Sequence, residues 1–480
     1  MLSLNAALLL SLAQSAAPAE VSYSLTYRES RPGVVSVRVD LPPASPGARI
    51  FVIPRAIPMG YGEQPFDRFV SAVAASSSDG STLVVERGEG PRWLLGTPDS
   101  IVARIDYEVD IARMEQEVVA ASDTSKARPG YLSLLGYSVF GYVEGLEESA
   151  VRLDLDLPET WPLLTTLAPR LPLPQGRDSA SARNFYALAD SQIVAGPKLE
   201  VRALGTRPPA YFALYAEGET DIALLSELAE EALRRTIDYF GEASFPHYTA
   251  LQELLEPLSE RHRYGFSMEH LESATFYLAK DSGLTSRSAA SDRARVLYNF
   301  AHHFAHAWIP KRSYGKGYYP FTWELAPVLD TIWFSEGFAQ YAAIEAIADG
   351  LPDDEARAYR ENLLERRFRQ NVATAPAFLR RMPLVELSRV ASTRYSEDFR
   401  TGRTVFSRGG LMAAEIDDRI RQETRGTRRL RDALRHLISW SRKNESAFEI
   451  EDLPAIFAEA TGVDARPIFD WWLSPLEARE

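Results

Sequence analysis

Hydrophobic and polar positions alternate with a period of two from Val21 to about Ala203, and beyond Gly205 they recur with the spacing of a helix face. Val34-Val35-Ser36-Val37-Arg38-Val39 and Ile101-Val102-Ala103-Arg104-Ile105-Asp106-Tyr107 are clear alternating runs. Successive strand side chains point to opposite faces, so these runs predict half-buried strands. Turn formers lie between such runs, at Ser78-Asp79-Gly80-Ser81 and at Arg128-Pro129-Gly130. The texture changes near Gly205-Thr206-Arg207-Pro208-Pro209. From there the spacing predicts helices over 221–240, 291–308, 331–348, 354–370, 409–423 and 428–443. Leu224, Leu225, Leu228, Leu233 and Ile237 form one stripe on the first of these; Pro310 stops the second, and Gly350 with Pro352 closes the third. The coarse expectation is an α+β chain, β-rich first and mostly helical after.

Composition narrows this picture. At 480 residues and 45% hydrophobic the chain can bury a sizeable core and fits two or three domains better than one. A net charge of −13 argues against nucleic acid or an anionic membrane as the main partner. There is no cysteine, which excludes disulfides, thiol catalysis and thiolate metal sites, so any metal must be held by His, Asp or Glu. All seven histidines lie beyond residue 204. The β-rich region therefore reads as a scaffold or a substrate-facing wall.

Residues 1–19 read as a signal peptide, with an apolar core from Ala6 to Leu12 and the small residues Ala17-Pro18-Ala19 before Glu20, although no Lys or Arg precedes the core. Export follows as an expectation, with the mature chain periplasmic or secreted. No later stretch is apolar for the roughly 18 residues that a spanning helix needs, so no membrane span is expected after signal removal.

Three histidines fall within five residues, His302-His303-Phe304-Ala305-His306. Positions four apart share a helix face, so His302 and His306 can bind one ion, whereas His303 is rotated by about 100° and points beside the pair. Two histidines at this spacing are also common as solvated or simply packed side chains. A second segment changes the balance. Trp333-Phe334-Ser335-Glu336-Gly337-Phe338-Ala339-Gln340-Tyr341 places the lone carboxylate Glu336 in an apolar, aromatic helix. Burying that carboxylate unpaired is costly, and a cation is a good partner. His302, His306 and Glu336 with a water complete a zinc shell with one open position, one Zn²⁺ per chain.

The segment from His302 to Arg312 resembles the HExxHxWN-x-KR motif of the glycyl-aminopeptidase family of gluzincin zinc metallopeptidases. Trp333 to Tyr341 is similar to that family's W-x-x-E-G-F-x-x-Y, Gly265 to Ser273 to its G-x-x-EH strand, and Phe406 to Arg421 to its Y-x-KG…D-x-x-IR helix. Ile468 to Leu473 resembles the closing F-x-x-YV segment, and Tyr186 to Ser191 the Y-x-x-L-x-DSP segment. The resemblance covers nearly the whole mature chain, without the PDZ domain into which members usually continue. It implies a β-sandwich-like N-terminal domain over 20–204 and a thermolysin-like (gluzincin) catalytic-type domain over 205–480, a small sheet followed by helices. It also implies that His302, His306 and Glu336 are the zinc ligands, that Glu269 anchors a free amino group, and that the partner is the amino terminus of a peptide or protein.

Two departures from the family pattern bear on activity. The HExxH glutamate, the general base towards zinc-bound water, is His303 here, so the motif reads HHxxH; the tyrosine that donates to the oxyanion is Phe406. A base contributes ~10²–10⁴ in rate and one oxyanion donor ~10²–10³. The expectation is a zinc-binding pseudopeptidase or a strongly impaired enzyme. His303 is open to three readings: an alternative base in an aminopeptidase of altered chemistry, an additional metal ligand closing the shell, or an idle side chain.

Overall fold

The alternating runs build a seven-stranded sheet in the order Arg177–Ala182, Ala150–Asp156, Glu20–Tyr27, Val34–Asp40, Arg104–Asp110, Val70–Ser76, Thr82–Leu83. The computed structural model describes residues 20–474 apart from 44–46, 48, 119–123, 244, 263, 320 and 395–397; the expected signal peptide lies outside the described residues. Every second residue of Glu20–Tyr27 is buried, namely Val21, Tyr23, Leu25 and Tyr27. This inner face packs on smaller sheets, with the Phe51 ring 5.1 Å from Tyr107 and the Tyr23 hydroxyl donating to the Gly141 carbonyl at 2.9 Å. Two layers with alternating inward residues make the region a β-sandwich-like domain.

The second alternating run starts three residues later than its pattern suggests. Its partner strand ends at Asp40, which pairs with Arg104, so Ile101 gains no neighbour and stays 51% exposed. The turn formers sit as read: Gly130 adopts φ +73 in the hairpin joining Lys126–Arg128 to Tyr131–Leu135.

A five-stranded sheet spans the change of texture at residue 205, ordered Glu200–Leu204, Ala210–Ala216, Tyr248–Leu255, Ser273–Ala279, Gly265–Glu269. The three central strands are parallel and buried; the two edges are antiparallel to their neighbours. Against it lie the helices Ile222–Phe240 and Ala290–Ala305, the latter through Phe300, whose ring is 4.8 Å from Phe276 and 5.9 Å from Phe212. The rest is helical, including Gly337–Ala348, Phe399–Glu423 and Leu430–Asn444. Among the described residues no helix is long and apolar enough to cross a membrane.

Two helices differ from the pattern in ways that matter for the site. The segment expected over 331–348 divides into Ile332–Ser335 and Gly337–Ala348, with Glu336 at the junction. The helix expected to start at Gly409 starts at Phe399 instead, capped by the Asp398 carboxylate accepting from the Arg400 amide at 3.0 Å. Gly409 and Gly410 lie in the interior of this helix. A Cβ on Gly337 would lie 2.4 Å from the Gly409 carbonyl carbon, so the two helices touch backbone to backbone there. That contact sets Glu336 close to Phe406.

Candidate metal centre and its cleft

His302 and His306 sit at the end of the Ala290–Ala305 helix, which stops about one turn earlier than its spacing predicts. Their Nε2 atoms lie 3.1 Å apart. The Glu336 Oε2 faces both, 3.3 Å from His302 Nε2 and 3.7 Å from His306 Nε2. All three residues are buried.

The donor set fits a divalent cation. His306 Nδ1 lies 2.8 Å from the Ile309 carbonyl, which can only accept, so Nδ1 carries the proton and Nε2 presents a lone pair. That lone pair and an ionised Glu336 Oε2 are two acceptors turned towards one point, an arrangement that calls for a cation between them. Burial pushes Glu336 above its ordinary value; burial, then the charges of His306 and Arg367, push His302 well below its own. Neutral imidazoles are the form that ligates metal.

The second carboxylate oxygen of Glu336 is also engaged. The Tyr61 hydroxyl, from the β-sandwich region, donates to Glu336 Oε1. Nothing in the sequence marks Tyr61, which sits in a His-free loop between strands. Only the fold carries it across to a carboxylate 275 residues away.

Of the candidate ligand trio, His302 and Glu336 open on a cavity of about 300 Å³. Glu269, the last residue of the edge strand, lines it and offers a carboxylate oxygen within 4.8 Å of ligand atoms of His306 and Glu336. His303 lines it too, its ring edge-on to Phe276 at 5.4 Å. A ring nitrogen of His303 lies within 4.8 Å of ring nitrogens of His302 and His306, and its Nδ1 is buried without a hydrogen-bond partner among the described residues. Burial, followed by His302 and His306, pushes its imidazole well below the usual range. Phe406 closes another wall and brings no hydroxyl to it.

Behind this cleft three further motif residues meet. The buried Asp190 carboxylate lies 3.0 Å from His270 Nδ1 and 4.0 Å from Lys311 Nζ. Lys311 in turn donates to the Pro58 carbonyl at 2.9 Å, in the loop that carries Tyr61. The cluster joins the ends of the Glu269 strand, the His306 segment and the Tyr61 loop, so it holds the lips of the cleft in register.

This fold is shared with solved structures of aminopeptidase N family and M1 zinc metallopeptidase proteins. Residues 22–197, the β-sandwich region, match the Peptidase M61 N-terminal domain. The chain is similar to an aminopeptidase N family protein from Idiomarina loihiensis, with a TM-score of 0.82 at 18% identity over 95% of this chain and 76% of that one. It is also similar to an M1 zinc metallopeptidase from Deinococcus radiodurans solved with a Tyr-Ser-Ala substrate, with a TM-score of 0.55 at 15% identity over 95% of this chain and 94% of that one. A two-domain M1 zinc metallopeptidase bound to L-tryptophan gives a TM-score of 0.56 at 16% identity. No curated protein matches the sequence. At these identities the solved structures speak for the fold; the two M1 metallopeptidases named are zinc enzymes, and this chain carries a His-rich candidate metal site.

Proposed function

We propose that the chain binds one zinc ion through His302, His306 and Glu336 and takes the free amino terminus of a peptide or protein beside it, with little or no peptide cleavage. The observation that carries the metal assignment is the triangle of Nε2, Nε2 and Oε2 atoms, 3.1 to 3.7 Å on a side, at the floor of a cleft. Zinc bound there would polarise a carbonyl and acidify a water. Glu269 supplies the negative charge that an ammonium group seeks. The impairment follows from His303 at the base position and Phe406 at the donor position.

A second reading is an aminopeptidase of altered chemistry with His303 as base. It is favoured by one feature: His303 faces the cleft, and its Nδ1 has no hydrogen-bond partner among the described residues. The division into domains at 20–204 and 205–480, the signal peptide over 1–19 and a periplasmic or secreted location belong to the same proposal.

Metal content of protein purified without chelator, together with turnover of aminoacyl amides, tests the proposal. One zinc per chain, lost in His302→Ala and Glu336→Ala, and negligible turnover are expected. Protein that neither carries nor takes up zinc would end the metal assignment; robust turnover abolished by His303→Ala would establish the second reading.

A further inference from the structure

The cleft has a cation as well as an anion. Arg367 lines it, on the helical run Glu361–Phe368. The arginines around it all have acidic partners: Arg360 pairs with Glu345 at 2.6 Å, Arg366 with Glu361 at 3.3 Å and Arg369 with Glu365 at 2.5 Å. Arg367 makes no ion pair among the described residues. Its guanidinium lies over the Tyr298 ring, 5.2 Å from the centroid, and that ring stacks at 6.3 Å on His302. Glu269, by contrast, stands next to His306 and Glu336. The chain of contacts therefore runs from Glu269 through the metal ligands to His302, Tyr298 and Arg367, with the negative group at one end and the positive group at the other.

A peptide whose amino group meets Glu269 and whose first carbonyl meets the metal continues towards the Arg367 end. One residue adds at most ~3.6 Å of reach, so the next charged group along the peptide is that of its second residue. We propose that Arg367 recognises a carboxylate at that second residue, so that the preferred occupant is a short peptide with an acidic group one residue beyond the metal-bound carbonyl. This rests on the amino-terminus reading of the site. Two sources share this chemistry: the terminal carboxylate of a dipeptide and an acidic second side chain. An arginine fork suits either one. The cavity of about 300 Å³ is at the small end of ligand pockets, in keeping with a short occupant.

The test is calorimetric titration of the zinc-loaded full chain with Gly-Ala, Gly-Ala amide and Gly-Asp amide, repeated on Arg367→Gln. Arg367 is exposed, so the variant should keep its melting temperature. The expected result is that at least one carboxylate-bearing ligand binds about tenfold tighter than Gly-Ala amide, and that this preference disappears in Arg367→Gln. Preference for Gly-Ala assigns the terminal carboxylate; preference for Gly-Asp amide assigns the side chain. Equal binding of all three to the unmodified protein overturns the role of Arg367 and leaves the amino-terminus reading intact. A preference that survives in Arg367→Gln also overturns it, since the metal would then be reading the carboxylate. Failure of all three ligands to bind overturns both.

Discussion

The Tyr61 hydroxyl donates to Glu336 Oε1 while Glu336 Oε2 faces the two histidines, so a residue of the β-sandwich orients the proposed metal ligand of the helical region. One oxygen is held and the other stays turned towards the histidines. Groups that orient a ligand in this way typically tune metal affinity by ~10- to 100-fold. Tyr61→Phe should fold normally and weaken zinc binding by about tenfold in competition with a chromogenic chelator. An unchanged affinity would show that Glu336 is held well enough without the phenol.

Catalysis gives the second prediction. His303→Glu restores a base without a donor, and Phe406→Tyr restores a donor without a base. Both act on one transition state, so the double variant should exceed the combined single gains in aminoacyl amide turnover at equal zinc occupancy. A double variant that holds zinc and stays inert would mean that the cleft has been reshaped for something other than cleavage.

A third concerns the helix beneath the site. Phe300 and Phe304 are 1% and 0% exposed, and their rings stack at 5.8 Å. Truncation of either to Ala should cost ~3–5 kcal/mol in chemical denaturation. A loss under about 1 kcal/mol would contradict the packing of this helix on its sheet.

The fourth is the mature terminus. Mass spectrometry of protein recovered from its native source should find the chain beginning near Glu20, outside the cytoplasm. Intact Met1 in a cytosolic fraction would exclude export.

Much of this arrangement was legible in the sequence, for identifiable reasons. Val34 to Val39 alternate because one face of the sandwich is core and the other is wet, and that periodicity is local information. The His302–His306 spacing is likewise local, since a helix brings residues four apart together wherever it lies. Glu336 was legible because a lone carboxylate among aromatics needs a partner. Tyr61 and Arg367 were not. Neither stands in a pattern that distinguishes it from other tyrosines and arginines, and each reaches the cleft only because tertiary structure delivers it there. The helix expected from residue 409 begins at Phe399, and the backbone at Gly337 that makes glycine useful at Gly409 lies seventy-two residues away (409 − 337), beyond any local pattern.

That crossing of Gly337 and Gly409 has a bearing on how any map of tolerated substitutions would look. A methyl group at either position is a wedge: the atoms it meets are main chain, at 2.4 Å from Gly337 and 2.0 Å from Gly409, and main chain cannot rotate aside as a side chain can. The two helices would separate at the point where one supplies Glu336 and the other Phe406. In a survey that replaces every residue in turn, these two glycines should therefore rank with the metal ligands, although they own no functional group at all. Ranking by sensitivity would credit them with chemistry, when what they contribute is closeness.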